Sequence, residues 1–160
     1  MTHPGSKKID LVSRLAWLVA TAGGAGFVPR LPGTAGSVVG LILGVLVHQS
    51  QMALVVLTAG VILLALWSGG RAERMAGKKD APQIVIDEVA GMLLCLVGIT
   101  LTPATLILSF VLFRAMDIGK VFPACRAQRL PGSLGILLDD VIAAAYTQVL
   151  VRLMIPFLAP

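Results

Sequence analysis

The chain has 160 residues, of which 57% are hydrophobic and only 13% are charged. A soluble domain usually carries about 25% charged residues, so this composition predicts a protein that lies in a lipid bilayer. The length suits a single domain over residues 1–160. The net charge of +5 comes without interleaved aromatic residues, which argues against nucleic-acid binding and favours contact with anionic lipid.

The N-terminal segment Ile9–Val28 is mixed in character, because Asp10 and Arg14 precede an apolar stretch. A basic pair ahead of such a stretch also resembles a signal peptide. However, Arg14 crowds the stretch, and the glycines at positions 23, 24 and 26 disfavour a spanning helix. We therefore predict an interfacial or half-buried helix, with Trp17 at the depth of the lipid headgroups.

Five apolar runs follow, and each is a candidate transmembrane helix. They cover residues 36–48, 52–68, 88–101, 104–113 and 135–155. In the first run, Gly36, Gly40 and Gly44 recur every four residues, which places them on one helix face where another backbone can approach closely. We predict an all-α membrane bundle of about five transmembrane helices plus the N-terminal helix.

The charged residues lie on one side of the bilayer if each run crosses it once. Of the 13 Lys and Arg residues, only Arg152 falls toward the other face. The positive-inside rule then places the charged side in the cytoplasm. All 8 carboxylates lie on or just inside that same side, so the acids and the basic loops can meet there.

Four acidic residues lie inside or at the edge of apolar runs: Asp87, Glu88, Asp139 and Asp140. An unpaired charge in the bilayer costs at least about 2.5 kcal/mol, so these side chains need partners. Two acidic pairs from different helices, together with Asp117, offer the oxygen ligands that Mg²⁺ prefers. Because neighbouring helical residues point about 100° apart, Asp139 and Asp140 cannot both face one ligand squarely.

Basic residues close to these acids suit phosphate binding. Arg114, Asp117 and Lys120 are spaced by three, so they are neighbours on a helical surface. Arginine presents a planar fork to phosphate oxygens, and lysine adds a point charge. The alternative is structural: the acids pair with Arg114, Lys120 and Arg152, and the loop cations are ordinary cytoplasmic-side residues.

A Leu-Pro-Gly-hydroxyl-x-Gly pattern occurs twice, at residues 31–36 and 130–135. Each copy opens an apolar run and therefore predicts a helix start, with Thr34 or Ser133 as the N-cap. Helix N-termini of this kind bind phosphate. A plain Pro-Gly turn with a capping hydroxyl is the alternative interpretation.

Four motifs occur in order along the chain: LPGTAGS at 31–37, IVIDEVAGM at 84–92, FRAMDIGKVFP at 113–123 and LPGSLGILLDDVIA at 130–143. Over about residues 22–146, this combination resembles the phosphatidylglycerophosphatase A family. The resemblance implies a Mg²⁺-dependent enzyme of the bacterial inner membrane that converts phosphatidylglycerophosphate into phosphatidylglycerol on the cytoplasmic face. The chain departs from the family pattern at Val121, where proline is usual, and at Ser133, where a second glycine is usual. Both changes affect loop geometry rather than chemistry.

Carried over by motif, the resemblance implies roles for individual residues. The substrate phosphate would be bound by Thr34, Ser37, Arg114 and Lys120. Mg²⁺ would be bound by Asp87, Glu88, Asp139 and Asp140. These four acids and Asp117 would form the catalytic set. Either water or an aspartate attacks the phosphorus atom; we favour water, with one of the four metal-binding acids as general base.

Other phosphatase chemistries lack their residues in this chain. A cysteine nucleophile of the Cys-x5-Arg type is excluded, because neither Cys95 nor Cys125 is followed six positions later by arginine. A histidine nucleophile is disfavoured, because His3 lies in the polar N-terminal tail and His48 lies in the loop on the side opposite the charged residues. No Asp-x-Asp pair or Asp-Gly-x2-Ala-Arg motif is present. The rival functions are a small cation carrier or channel with intramembrane carboxylates, and a phospholipid-binding or transfer subunit. The oligomeric state stays open.

Overall fold

The computed structural model describes residues 10–79, 81–119, 122 and 133–158. The described helices are α1 (Leu11–Ala20), the 3-10 helix η1 (Ala22–Phe27), α2 (Pro32–Leu46), α3 (Gln51–Ala76), α4 (Ile86–Leu96), α5 (Pro103–Gly119) and α6 (Ser133–Leu158). The described part of the chain contains no β-strand, so the predicted all-α class is confirmed.

Helix α4 lies at the centre of the bundle and packs against α2, α3, α5 and α6. Nine of its 11 residues are buried. After its first turn, α4 carries no polar stripe that could face solvent, as is typical of a buried helix. Met92, Leu93 and Leu96 fill the space around it. The Asp87-Glu88 pair at its start is therefore surrounded by protein.

The glycine face of α2 packs directly on α4, as the four-residue spacing predicts. Gly36, Gly40 and Gly44 are all buried. A Cβ atom at position 36 would lie 2.8 Å from Cβ of Val85, and position 44 meets Leu96 at the other end of α4. Only glycine permits this approach, and the order of the contacts shows that α2 and α4 run parallel.

Helices α3 and α5 run opposite to α2, α4 and α6. At the start of α3, Gln51 Nε2 donates a hydrogen bond of 3.1 Å to the carbonyl of Ile99, just beyond the end of α4. Near the other end of α3, the Gly70 N–H donates a hydrogen bond of 2.6 Å to Ser133 Oγ at the start of α6. The starts of α2, α4 and α6 therefore lie together at one end of the bundle.

Two of the described helices are long and apolar enough to cross a membrane: α3, and residues Ser133–Phe157 of α6. Helix α4, with its 11 residues, extends only about 16 Å against a hydrocarbon thickness of about 30 Å. Each of the five predicted runs falls on a helix, but five full-length crossings are not confirmed. Helix α3 also continues to Ala76, eight residues beyond the end of the predicted run 52–68.

The N-terminal segment forms a half-buried helix, as predicted. Helix α1 packs against α3, and its residues Ala16 and Ala20 are buried, while Leu11 and Leu15 are exposed. The chain then leaves α-helical geometry, because Gly23 adopts a positive φ of 67° that favours glycine.

Candidate active site

Three carboxylates from two helices meet at the end of the bundle where α2, α4 and α6 begin. Asp87 and Glu88 occupy the first turn of α4, and Asp140 lies near the start of α6. One oxygen atom from each carboxylate lies within 4.8 Å of those from the other two. Asp87 is only 7% exposed and Asp140 only 2%, so bulk water screens this cluster poorly. We call Asp87, Glu88 and Asp140 the carboxylate cluster.

Each member of the carboxylate cluster has a buried oxygen without a hydrogen-bond partner among the described residues. These atoms are Asp87 Oδ1, Glu88 Oε2 and Asp140 Oδ2. Buried polar atoms are nearly always hydrogen-bonded, and buried carboxylates repel one another when they are ionised. A divalent cation held by one oxygen of each carboxylate would relieve this repulsion. The metal-ligand atoms are carboxylate oxygens only, so the carboxylate cluster fits a hard metal ion.

Arg114 lies beside the cluster near the end of α5. Its Nη1 atom is 2.6 Å from Asp117 Oδ2 and also donates a hydrogen bond of 3.3 Å to Ser37 Oγ. The Asp117 carboxylate in turn interacts with Glu88 and Asp140. Arg114 Nε is buried and has no hydrogen-bond partner among the described residues. The Arg114 guanidinium thus keeps an N–H donor available beside the carboxylate cluster. This arrangement suits a phosphate that contacts both Arg114 and a metal ion held by the cluster.

The start of α2 differs from the prediction that Thr34 is an N-cap. Helix α2 begins at Pro32, and its N-cap is Leu31, which makes no side-chain capping hydrogen bond. The prediction was wrong because proline at the first helical position needs no N–H partner and has a helical φ already. Thr34 is half-buried in the first turn instead.

Ser37 is buried, and the O–H donor of its hydroxyl is used within the protein. It donates a hydrogen bond of 3.0 Å to the carbonyl of Gly33 and accepts one from Arg114. The predicted phosphate ligand therefore holds Arg114 in position. In the second Leu-Pro-Gly motif, the hydroxyl of Ser133 accepts the N–H of Gly70 on α3.

Two glycines that the sequence analysis did not assign to the site shape it. A Cβ atom at position 33 would overlap Glu88 Oε1, and one at position 91 would lie 2.6 Å from Cζ of Phe113 and 3.2 Å from Cβ of Asp140. The signal was present in the sequence, because both glycines belong to the motifs that carry the predicted site residues. Glycine at these positions lets α2, α4, α5 and α6 converge.

The remaining predicted residues occupy different positions. Asp139 is 9% exposed and lies next to Asp140, but it contributes no oxygen to the carboxylate cluster. Adjacent helical residues point about 100° apart, which accounts for this separation. Lys120 lies outside the described residues, as do residues 130–132 of the second Leu-Pro-Gly motif.

Curated proteins of three bacteria resemble most of this chain. A protein of Haemophilus influenzae named phosphatidylglycerophosphatase A is 34% identical over 149 residues, which cover 91% of this chain and 91% of the relative. An Escherichia coli protein of the same name is 30% identical over 146 residues, covering 88% and 84%. A Bacteroides thetaiotaomicron protein with the provisional name phosphatidylinositol-3-phosphatase is 30% identical over 148 residues, covering 87% and 92%.

No solved structure matches the chain. The profile of the family described as phosphatidylglycerophosphatase A matches residues 18–155. That range includes α2 to α5 completely, together with the carboxylate cluster and Arg114. The chain therefore belongs to the phosphatidylglycerophosphatase A family and is a phosphoric monoester hydrolase.

Proposed function

We propose that the protein hydrolyses the terminal phosphomonoester of phosphatidylglycerophosphate, with Mg²⁺, to give phosphatidylglycerol and inorganic phosphate. The names of the Haemophilus and Escherichia relatives support this substrate. The observation that carries the proposal is the carboxylate cluster with its three unpaired oxygens next to the guanidinium of Arg114. Such a set can hold a metal ion and an anion side by side.

The carboxylate cluster would hold the metal ion, with Asp139 as a further ligand candidate. Carboxylate oxygens suit Mg²⁺, which keeps several waters and binds few protein ligands. When bound, Mg²⁺ would neutralise charge on the phosphomonoester and help to generate or orient the attacking water.

The basic residues bind and orient the phosphoryl group. Arg114 and Lys120 stabilise the charge that spreads over the phosphoryl oxygens in a loose transition state. Asp117 and Ser37 hold the Arg114 guanidinium at 2.6 Å and 3.3 Å, so it is oriented before substrate arrives. Thr34, in the adjacent first turn of α2, offers a further hydroxyl to the phosphate.

The acids also supply proton transfer. One of Asp87, Glu88, Asp139 and Asp140 accepts a proton from the attacking water as general base. The alternative is direct attack by an aspartate, which would form an acyl phosphate that water then hydrolyses. A rapid acid quench with ³²P in the terminal phosphate of the substrate separates the two, because direct attack leaves ³²P covalently bound to the protein whereas attack by water does not.

The bundle lies in the bacterial inner membrane with the carboxylate cluster on the cytoplasmic side. Helices α3 and α6 cross the bilayer, and the shorter α2, α4 and α5 complete a polytopic bundle of about five spans. Exposed apolar side chains such as Leu63 on α3 and Val149 on α6 suit contact with lipid. The lysines and arginines at the cluster's end fit the positive-inside rule. Reporter fusions at residues 49 and 79 test this placement, and fusions that report the same side contradict it.

Phosphate release tests the proposed reaction. Purified protein in neutral detergent micelles is expected to release phosphate from phosphatidylglycerophosphate when Mg²⁺ is present. A chelator should abolish release, and added Mg²⁺ should restore it. Failure of the folded protein to release phosphate would contradict the proposal. Cation flux through proteoliposomes without phosphate release would instead support the carrier alternative.

A second candidate substrate is phosphatidylinositol 3-phosphate, because the Bacteroides relative is named for it. Both lipids carry a phosphomonoester on a headgroup that a phosphodiester joins to the lipid. The ratio of kcat/KM for the two lipids decides between them. We expect the higher value for phosphatidylglycerophosphate.

A further inference from the structure

A cavity of about 390 Å³ lies beside the proposed active site. It is lined by residues 26–30, Pro32, Pro82 and Gln83. Its two walls are in direct contact, because a Cβ atom at Gly26 would overlap the backbone carbonyl oxygen of Gln83. The ring of Phe27 packs on Trp17 of α1, with the ring centroids 6.2 Å apart. These tertiary contacts fix the positions of the residues that line the cavity.

The walls of this cavity lead directly into the helices that form the site. Pro32 lines the cavity, and the next residue, Gly33, touches Glu88 and Arg114. Gln83 lines the other wall, and α4 begins at Ile86, immediately before the carboxylate cluster's first member. Consecutive Cα atoms are about 3.8 Å apart, so the cavity and the cluster are neighbours at the same end of the bundle.

Arg30 is the cationic residue among those that line the cavity. It is exposed and forms no ion pair with any described residue. Its neighbours Phe27 and Leu31 are 56% and 60% exposed, so apolar surface lies on both sides of the cation. A cation between exposed apolar side chains on a membrane protein suits a phosphate at the boundary between headgroups and acyl chains.

We propose that this cavity binds the phosphodiester of the lipid substrate and that Arg30 is the residue that binds it. The inference rests on the proposed function, which places the terminal phosphomonoester at the carboxylate cluster. A glycerol unit joins the two phosphates of phosphatidylglycerophosphate, so adjacent anion sites match the substrate. The diester carries a single permanent negative charge, which a guanidinium can bind without a metal ion. Phe27 and Leu31 then face the acyl chains.

Steady-state kinetics of Arg30→Asn test the role of the charge. Arg30 has a φ of 68°, a region that asparagine tolerates better than most residues, so this variant keeps the backbone. We expect KM for phosphatidylglycerophosphate to rise about tenfold or more with kcat little changed, as loss of uniform binding predicts. Arg14→Asn is the matched control, because it removes the same charge from an exposed position on α1. Neutral detergent micelles remove attraction to bulk anionic lipid.

Inhibition by the two products shows whether Arg30 binds the phosphodiester or the phosphomonoester. Phosphatidylglycerol keeps the phosphodiester, whereas inorganic phosphate is the product of the phosphomonoester and competes with substrate at the carboxylate cluster. Arg30→Asn should weaken inhibition by phosphatidylglycerol about tenfold or more and leave inhibition by phosphate unchanged. Unchanged phosphatidylglycerol inhibition overturns the inference, as does equal weakening of both inhibitors or an equal effect of Arg14→Asn.

Equilibrium binding separates this inference from the proposed reaction. If the wild-type protein releases no phosphate, the proposed function fails on its own. Binding of phosphatidylglycerol in neutral micelles is then still measured for the wild type and Arg30→Asn. Equal affinities of the two proteins contradict the assignment of Arg30.

Discussion

Gly33 lies so close to Glu88 that a Cβ atom at position 33 would overlap the carboxylate oxygen Oε1. The same Cβ atom would be 3.2 Å from Arg114 Nη2. The backbone of α2 thus touches both a member of the carboxylate cluster and the guanidinium beside it. Any side chain at position 33 must displace one of these two groups.

Gly33→Ala is therefore expected to impair catalysis more than folding. A displacement of about 1 Å at a reacting group can cost about a hundredfold in rate, so we expect kcat/KM to fall by about that factor. Gly60→Ala on α3 is the control, since nothing lies within 4 Å of a Cβ atom there. Near-wild-type kcat/KM in Gly33→Ala would show that α2 does not set the geometry of the site.

Asp140→Asn should weaken metal binding and lower activity. The substitution keeps the size of the side chain but removes a charge from the carboxylate cluster. We expect kcat to fall at least about a hundredfold, the typical effect of losing one preorganised electrostatic contact. Binding of Mn²⁺, followed by its electron paramagnetic resonance signal, should weaken in the same variant.

Asp139→Asn supplies the comparison on the adjacent residue. Because Asp139 contributes no oxygen to the carboxylate cluster, its substitution should weaken Mn²⁺ binding less than Asp140→Asn does. The opposite order would exchange the roles of the two acids. Circular dichroism of both variants checks that the helices are retained.

Ser37→Ala should lower activity only moderately. The Ser37 hydroxyl orients Arg114, which Asp117 still holds at 2.6 Å when Ser37 is absent. Loss of one such hydrogen bond predicts a decrease in kcat/KM of about threefold to tenfold.

A double-mutant cycle distinguishes positioning from direct phosphate binding. If Ser37 acts through Arg114, then Ser37→Ala should cost little in an Arg114→Lys background. A full, additive loss in that background would show that Ser37 contacts the substrate by itself.

The sequence predicted the helix contacts that depend on spacing. The four-residue repeat of Gly36, Gly40 and Gly44 predicted a close helix contact, and α4 occupies that face. Acids at the edge of apolar runs predicted that carboxylates from different helices converge, which Asp87 and Asp140 do. Both predictions succeed because a periodic pattern or an isolated charge in an apolar segment restricts the possible packing strongly.

Partners and helix ends were harder to predict. No spacing rule shows that the Ser37 hydroxyl is used by Gly33 and Arg114, because these contacts depend on three-dimensional packing. The apolar run 88–101 predicted one long helix, yet α4 ends at Leu96 because Gly98, with a φ of 69°, turns the chain. Hydropathy alone does not detect such an end.

Gln148 is expected to stabilise the fold without a role in catalysis, because it lies at the opposite end of α4 from the carboxylate cluster. The two N–H groups of its side-chain amide are shared among three carbonyls, because Nε2 lies 2.8, 3.1 and 2.8 Å from the oxygens of Leu94, Cys95 and Val97. Gln148→Ala removes these side-chain hydrogen bonds at the end of α4, which should cost about 1–3 kcal/mol of unfolding free energy and lower Tm in detergent. The kcat of the folded fraction should stay at the wild-type value.

Gln49→Ala, in the exposed loop before α3, is the control and should change neither the unfolding free energy nor kcat. A loss of activity in Gln148→Ala that exceeds its unfolded fraction would contradict a purely structural role.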